Sequence, residues 1–304
     1  MYVPATYRGR SVADGFTRLL DRMQPLDSEV GALKAHRATI EQGLRAEFAN
    51  FNRLEVIGSH TRGSAIKVVS DVDYLAVLGR KDVTWGGELV APETTLRRVK
   101  SALQQRFPYT DVRIDGPAVI VGFGQGEGAV DVVPAFWRGT TGIDGYPQFA
   151  MPDGLGEWQW TSPQRYKKYI GEANEQSRYK LSRVSQLLKV WKYARSPNVP
   201  FLGFHLELLL AAEGICVGPK SYGDCLLETF AVLLDRKGRD LNDPLGIASR
   251  IPIVYTDAQA RALLNHASHA ADHAARALRA EIEGDIDEAY RQWDLVFNGR
   301  FPAR

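Results

Sequence analysis

Cysteine is nearly absent: the 304-residue chain holds two, Cys216 and Cys225. Neither belongs to a Cys-x-x-Cys pair or has a histidine at ligand spacing, which argues against a disulfide framework and leaves two reduced, buried thiols as the expectation. Also missing is any uninterrupted apolar run of transmembrane length, and the first residues lack the basic-then-apolar pattern of a signal peptide. A cytoplasmic protein with no membrane partner is the default expectation. There is little charge of one sign, since 38 Lys and Arg balance 36 Asp and Glu to a formal net charge of +2. No global field demands nucleic acid or an anionic surface, so any anion site must be local. No internal repeat or low-complexity segment stands out. What remains is 44% hydrophobic and 24% charged, the balance of an ordinary globular protein with room for one or two domains.

The stretch that organises the chain is Gly58-Ser-His-Thr-Arg-Gly63-Ser64-Ala-Ile-Lys-Val-Val-Ser70-Asp71-Val-Asp73. Val72 and the run Tyr74, Leu75, Ala76, Val77, Leu78 read as a mostly buried strand, which Asp71 and Asp73 begin. Residues two apart on a strand point the same way, so these carboxylates share one face. Side by side they would repel and raise a pKa; a shared divalent cation removes the conflict. Upstream, the Gly58-Ser59 turn exposes backbone NH groups of the kind that hold phosphate, although a Gly-Ser pair alone is most often an ordinary turn.

Taken in order, Ser11 to Met23 is predicted as a helix opened by Ser11-Val-Ala-Asp14, a capping-box-like pattern with aspartate for glutamate, and closed by Pro25. A second helix starts near Asp27 or Ser28, with Val30, Leu33, Ile40, Leu44 and Phe48 as one stripe along the back of a sheet. Leu54 to Ile57 is a short strand, and Pro92 to Phe107 is helical with Leu96, Val99, Leu103 and Phe107 on one side. Val112 to Ile114, Ala118 to Phe123 and Gly128 to Phe136 follow as strands, the last two joined by a hairpin at Gly124-Gln-Gly126-Glu127. Asp131 therefore sits inside an apolar strand, where an ion costs several kcal/mol of desolvation unless it is paired or coordinated. Gly139 to Pro163, rich in Gly, Pro and Trp, has no clear period and reads as a long ordered loop joining two lobes. Beyond it Tyr166 to Arg195, Phe204 to Glu213, Tyr222 to Arg236 and Asp257 to Phe297 are helical in pattern. The expectation is an α+β protein with a sheet-bearing lobe over 1–165 and a helical lobe over 166–304.

Three carboxylates on two strands behind a phosphate-type turn fit one chemistry better than three separate salt bridges: two Mg²⁺ ions about 3.5 to 4 Å apart that bind triphosphate oxygens and activate a hydroxyl. On the helix from Ser177 to Arg195, Leu181, Val184, Leu188 and Trp191 form the apolar stripe, with Arg178, Ser182, Ser185, Lys189 and Lys192 along the adjacent side. Such a side is ordinarily a solvated face; opposite the carboxylates, Lys189 would instead grip outer phosphates as a point charge. His266, His269 and His273 share a helical face but lack a fourth zinc ligand. Trp137, Trp158 and Trp160 are read as loop packing before base stacking, and Asn242-Asp243-Pro244 as a turn.

With these pieces placed, the chain resembles the DNA polymerase β-like nucleotidyltransferases. Gly58-Ser59, Gly63-Ser64-Ala-Ile, Ser70-Asp-Val-Asp73 and Val130-Asp131-Val-Val-Pro134 look like the bacterial cyclic-oligonucleotide synthases of antiphage defence, the CD-NTase family, which is similar in turn to animal cyclic GMP-AMP synthase and 2'-5' oligoadenylate synthase. Met151-Pro-Asp153 with Trp158 and Thr161-Ser-Pro163, Leu187-Leu-Lys189-Val-Trp191, Phe204-His-Leu-Glu207, Trp293-Asp-Leu-Val-Phe297 and Phe301-Pro302 extend the resemblance over nearly the whole chain. It implies a polymerase β-like core, a mixed sheet with flanking helices, plus a C-terminal helical lobe, with the active site in the cleft between them. It also implies that Gly58 and Ser59 hold donor phosphate, that Asp71, Asp73 and Asp131 hold Mg²⁺ (Mn²⁺ as the alternative), and that Lys189 is the triphosphate lysine, with Ser185 one turn before it on the nucleotide side. Phe204 would stack on the donor base, while Gly203 stands where a serine or other polar residue is common in the family.

The implied reaction is attack by a ribose hydroxyl of one nucleotide on the α-phosphate of another, loss of pyrophosphate, and closure to a cyclic di- or trinucleotide for antiviral signalling. NTPs, ATP foremost with the second base open, are the implied substrates, and a regulatory protein partner is allowed. Without zinc-ribbon spacing or a concentrated basic patch, direct activation by DNA is not expected. The competing readings are a nucleotidyltransferase of this fold acting on RNA ends or a protein, and a catalytically silent nucleotide-binding protein.

Overall fold

A computed structural model describes residues 11–25, 31, 35–67, 72–123, 128–142 and 144–304. Asp71 and Ser70, the expected start of the second helix with Val30 and Leu33, and the Gly124 to Glu127 hairpin turn lie outside the described residues.

The chain opens with helix α1 (Val12–Arg22), where the Ser11 side chain accepts from the Asp14 amide and Asp14 Oδ2 accepts from the Ser11 amide at 2.8 Å, so aspartate closes the capping box as read. Next come α2 (Arg37–Glu47), β1 (Arg53–Ile57), the single turn α3 (Ser59–Arg62), β2 (Val72–Leu78), a small hairpin β3 (Thr84–Trp85) and β4 (Glu88–Leu89), and α4 (Pro92–Arg106). Strands β5 (Asp111–Asp115), β6 (Ala118–Phe123), β7 (Gly128–Thr140), β8 (Pro147–Pro152) and β9 (Trp158–Thr161) complete the sheet region. The helical part follows as α5 (Pro163–Gln176), α6 (Lys180–Tyr193), α7 (Gly203–Ala212), α8 (Tyr222–Asp235), the short strands β10 (Leu241–Asn242) and β11 (Arg250–Ile251), α9 (Asp257–Glu283) and α10 (Ile286–Val296).

Among the described residues, seven strands form one mixed sheet in the order β1-β2-β7-β6-β5, with β8 on β7 and β9 on β8. Only β2 and β7 run parallel. The sheet's two faces follow from the period of two. Val72, Tyr74, Ala76 and Leu78 of β2, with Val130 and Val132 of β7, bury against Ile40 and Leu44 of α2 and Leu96, Val99 and Leu103 of α4. The described part of the second helix thus lies along the back of the sheet as its stripe predicts. Leu75, Val77, Val133, Ala135 and Phe149 belong to a smaller cluster on the opposite face. Asp73 lies two residues before Leu75 and Asp131 two before Val133, in step with this cluster, so both carboxylates leave the sheet on the side away from α2 and α4.

The reading of 139–163 as a loop is corrected: β7 continues to Thr140, and β8 and β9 add two antiparallel strands through a bulge between Trp137 and Gly139. Strands this short, interrupted by glycines, carry no period long enough to read, and their pairing rests on the backbone. The stretches 166–195 and 257–297 each hold two helices. The first breaks at Arg178 and Tyr179, both at positive φ (54° and 63°), and the second at Gly284, a left-handed C-cap.

A second core joins the helices of the C-terminal half around Trp191, Phe230, Leu208, Trp293 and Phe297. Two pieces from earlier in the chain belong to it: Phe16, Leu19 and Leu20 of α1, and Ile66 from the segment after α3. Cys216 and Cys225 are free thiols buried within it. Among the described residues no helix is long and apolar enough to cross a membrane.

Candidate active site

β1 ends at Ile57, and the register places Ile57 opposite Asp73 and Asp73 opposite Asp131. Neighbours in a parallel pair lie on the same face about 4.8 Å apart, so the two carboxylates are brought side by side by backbone pairing alone. Gly58 turns the chain at φ 76° and ψ −159°, a region that is essentially glycine-only. A Cβ there would fall 1.7 Å from Asp73 Oδ2, so glycine is what makes room for the carboxylate.

These residues line one wall of a cleft of about 410 Å³. Gly58, Ser59, Arg62, Asp73 and Asp131 form the sheet side, and Lys189, Gly203, Phe204 and Glu207 the helical side. Seven of the nine expected site residues therefore meet in one place. Asp71 is outside the described residues. Ser185 is buried, 3% exposed, and does not line the cleft; its hydroxyl has no hydrogen-bond partner among the described residues. Lys192, on the same expected side of α6, donates to Phe201 O at 2.7 Å instead.

The helical wall is held by charge. Lys189 Nζ donates to Ser64 O at 2.9 Å and lies 3.5 Å from Glu207 Oε1. Glu207 Oε1 also accepts from Ser64 Oγ at 2.6 Å, and Oε2 pairs with Arg62 Nε at 2.5 Å. Burial pushes the Glu207 carboxyl up, but Arg62 and Lys189 outweigh it and hold the group down at about 2. Burial lowers Lys189, and the neighbouring Glu207 opposes that. Glu207 closes the Phe204-His-Leu-Glu207 motif, in which the sequence alone assigns it no role. One signal was available: a carboxylate inside the apolar run of α7, which burial makes as costly as Asp131 unless it is paired.

Phe204 stands one turn before Glu207, with the Arg62 guanidinium 5.3 Å over its ring and Tyr166 edge-on at 5.1 Å. A side chain at Gly203 would touch Lys189 Cε at 3.4 Å, so the absence of one leaves the lysine stem its path. Tyr166 donates to Asp243 Oδ2 at 2.7 Å, and Asp243 in turn accepts from the Leu245, Ile247 and Ala248 amides, so the Asn242-Asp243-Pro244 turn pins the loop that closes one end of the cleft. His205 Nδ1 lies 2.8 Å from Ile251 O, a carbonyl that only accepts, so this nitrogen carries the proton. Burial, partly offset by that hydrogen bond, pushes the imidazole down to about 4.

The tryptophans separate. Trp158 packs edge-on against Phe136 with its indole NH on Val90 O; Trp160 lines the cleft with Arg138 at 4.4 Å over its ring; Trp137 is exposed. His273 Nδ1 meets Gln292 Oε1, and among the described residues no three His, Cys, Asp or Glu converge on a metal-sized site. Two carboxylates do converge, Asp73 and Asp131. Hard oxygen donors on a rigid sheet, with the Gly58 cradle keeping one of them clear, suit a divalent cation bound jointly with substrate phosphates.

The chain is similar to known proteins in family and in fold. A family model described as the Second Messenger Oligonucleotide or Dinucleotide Synthetase domain matches residues 11–174. No curated protein sequence matches the chain. Among solved structures, E. coli MS115-1 CdnC with ATP superposes with a TM-score of 0.71 at 19% identity, covering 96% of this chain and 99% of that one. The E. coli MS115-1 CdnC:HORMA-deltaN complex gives 0.68 at 18%, covering 96% and 98%. Bradyrhizobium diazoefficiens CdnG, a CD-NTase in complex with GTP, gives 0.67 at 12%, covering 95% and 98%. At these identities the likeness establishes the fold.

Proposed function

Because the chain belongs to the Second Messenger Oligonucleotide or Dinucleotide Synthetase family, the bacterial CD-NTases, and is a nucleotidyltransferase that makes a cyclic oligonucleotide messenger, we propose how its own residues do so. An antiphage signalling role fits that family. NTPs are the substrates, and the family uses divalent metal ions; here the ion is Mg²⁺, held by Asp73 and Asp131 with Asp71 as the third carboxylate, and ATP is one of the nucleotides consumed. When bound, such ions supply charge at the phosphates and lower the pKa of an attacking hydroxyl.

The protein's part is positioning and charge stabilisation, as in phosphoryl transfer generally. Gly58 and Ser59 cradle the donor phosphate, Lys189 grips its outer phosphates, and Phe204 offers a ring face to the donor base. The second nucleotide's ribose hydroxyl, beside Asp131, releases its proton to solvent water and bonds to the donor α-phosphorus. The bond from that phosphorus to pyrophosphate breaks. A repeat of the step within the linear product closes the ring. The division of the chain near residue 165 follows the same logic, with each lobe supplying one wall. The CdnC:HORMA-deltaN structure supports looking for a regulatory protein partner of this chain as well.

The observation that carries this reading is the pairing of Asp73 with Asp131 in register, against the Gly58 cradle and across the cleft from Lys189. Incubation with all four NTPs and Mg²⁺, read by mass spectrometry, is expected to yield a cyclic product and pyrophosphate. Chain in which Asp71 and Asp73 are both replaced by Ala is expected to fold and yield none; undiminished synthesis by that variant overturns the assignment.

A further inference from the structure

Glu207 is 1% exposed, yet its two oxygens serve three groups that come from two parts of the chain. Arg62 and Ser64 belong to the segment between β1 and β2 that carries the phosphate turn, while Lys189 stands on α6 and Glu207 itself on α7. The same segment is gripped at two further points: Gln186 Nε2 donates to Ala65 O at 2.9 Å, and Ile66 is buried in the helical core. The phosphate turn is thus attached to the sheet by covalent connection and to the helices by polar side chains, with Glu207 at the junction.

Two cations share one anion there, which leaves a surplus of one positive charge. That surplus sits between the Gly58-Ser59 turn and Phe204, with the side chains of Arg62 and Lys189 10% and 14% exposed at the cleft wall. A carboxylate is not needed to hold the helical core, since hydrophobic packing of similar volume would do that at lower desolvation cost. Placed here, it does what an apolar residue cannot: it keeps two like charges adjacent, in fixed orientation, in a partly dry wall. Through Arg62 it also sets the ring of Phe204, over which the guanidinium lies.

We propose that Glu207 is a positioning residue for the triphosphate: it binds Arg62, Ser64 and Lys189 into one unit of net charge +1 that receives the outer phosphates of the donor nucleotide. The proposal rests on the nucleotidyltransferase reading of the cleft and adds Arg62 to the phosphate-binding groups. It follows that the unit distinguishes nucleotides by phosphate number. ATP gains from it and AMP, which lacks the outer phosphates, does not.

The test compares ATP and AMP binding by calorimetry, together with KM and kcat for ATP, in the full chain and in Glu207→Gln. The amide keeps the volume and one acceptor but cannot neutralise two cations. ATP binding is expected to weaken about tenfold or more, with KM rising in step, while AMP binding stays within about twofold. A residue with a purely structural role would instead lower the active fraction, moving kcat and leaving the ATP-to-AMP ratio unchanged. Arg62→Gln alone is expected to weaken ATP binding, and adding it to Glu207→Gln is expected to cost less than the sum of the two single losses, because an Arg62 that Glu207 no longer orients has little left to contribute, a non-additive pair. Unchanged or tighter ATP binding in Glu207→Gln, equal losses of ATP and AMP, or strict additivity with Arg62→Gln each overturn the proposal.

Should Glu207→Gln fail to fold, Ser64→Ala removes one hydrogen bond from the carboxylate and leaves the charges in place. It is expected to move the same ratio in the same direction by about two- to fivefold, and no movement overturns the proposal. Failure of the wider reading looks different: the unmodified chain would then bind ATP with the stated discrimination yet form no oligonucleotide.

Discussion

Two walls face each other across the cleft, and they are built by different rules. On the sheet side Asp73 and Asp131 are placed by strand register, which no side chain has to enforce, and Gly58 contributes by what it lacks. On the helical side Lys189 and Phe204 are placed by a buried carboxylate, by ring contacts and by packing, and the same carboxylate reaches across to Arg62 on the sheet side. The first wall is rigid and suited to holding a hard cation at fixed distances. The second is a set of partners that can exchange one another for substrate, as an ammonium on Glu207 can exchange part of that contact for phosphate.

The sharpest way to break the contrast is at the carboxylates. Asp73→Asn or Asp131→Asn is expected to reduce kcat about a thousandfold, roughly 4 kcal/mol of transition-state stabilisation, with the unfolding midpoint unchanged or raised because a like-charge pair is relieved. A fall in stability that tracks the lost activity would place these residues in the core rather than the chemistry.

Acid should act on the helical wall first. His205 is held neutral in the fold at about 4 against about 6.5 unfolded, so its contribution is complete above pH 6.5 and is lost as pH falls towards 4. The loss amounts to about 3 kcal/mol, readable as unfolding free energy by urea titration at a series of pH values. In His205→Asn, whose amide can still donate to Ile251 O, that slope is expected to vanish. Glu207, held at about 2, adds its own loss in a lower window, from about 4.5 downwards.

Gly58→Ala tests the sheet wall by adding one methyl group. The required conformation costs an alanine about 1–3 kcal/mol, and the methyl displaces the Asp73 carboxylate from its place, so an approximately hundredfold loss of kcat is expected with the metal dependence shifted to higher concentration. Removing the ring in Phe204→Ala has the smallest expected effect: KM for the donor nucleotide rises about tenfold, within the range for loss of one base stack, with kcat nearly kept. A larger effect on kcat than on KM would move Phe204 from base binding to the reaction itself.

How much of this could be read beforehand differs between the same two walls. The apolar strand carrying Asp73, the buried Asp131 and the glycine turn were legible, because alternation along a strand and the cost of an unpaired ion are both local facts. The capping box at Ser11 and the stripe of α2 were legible for the same reason. Strands β8 and β9 were not, since their pairing depends on a bulge in β7 and on partners distant in sequence. Five residues of the expected helix from Ser177 to Arg195 shared a polar side by spacing, and the fold separated them: Arg178 lies at the break before α6, Lys189 reaches the cleft, Lys192 turns to Phe201 O, and Ser185 is buried.

By itself the sequence determined the α+β class, the family through its motifs, and which strand residues share a face, because each of these follows from short-range periodicity or from residue types at fixed spacing. Only the tertiary structure decided that Glu207 joins Arg62, Ser64 and Lys189, and that α1 and Ile66 pack with the helices that come later. Those arrangements arise where segments far apart in the chain meet out of water. There a charge is tolerable only in the company of others, and no single segment shows what that company will be.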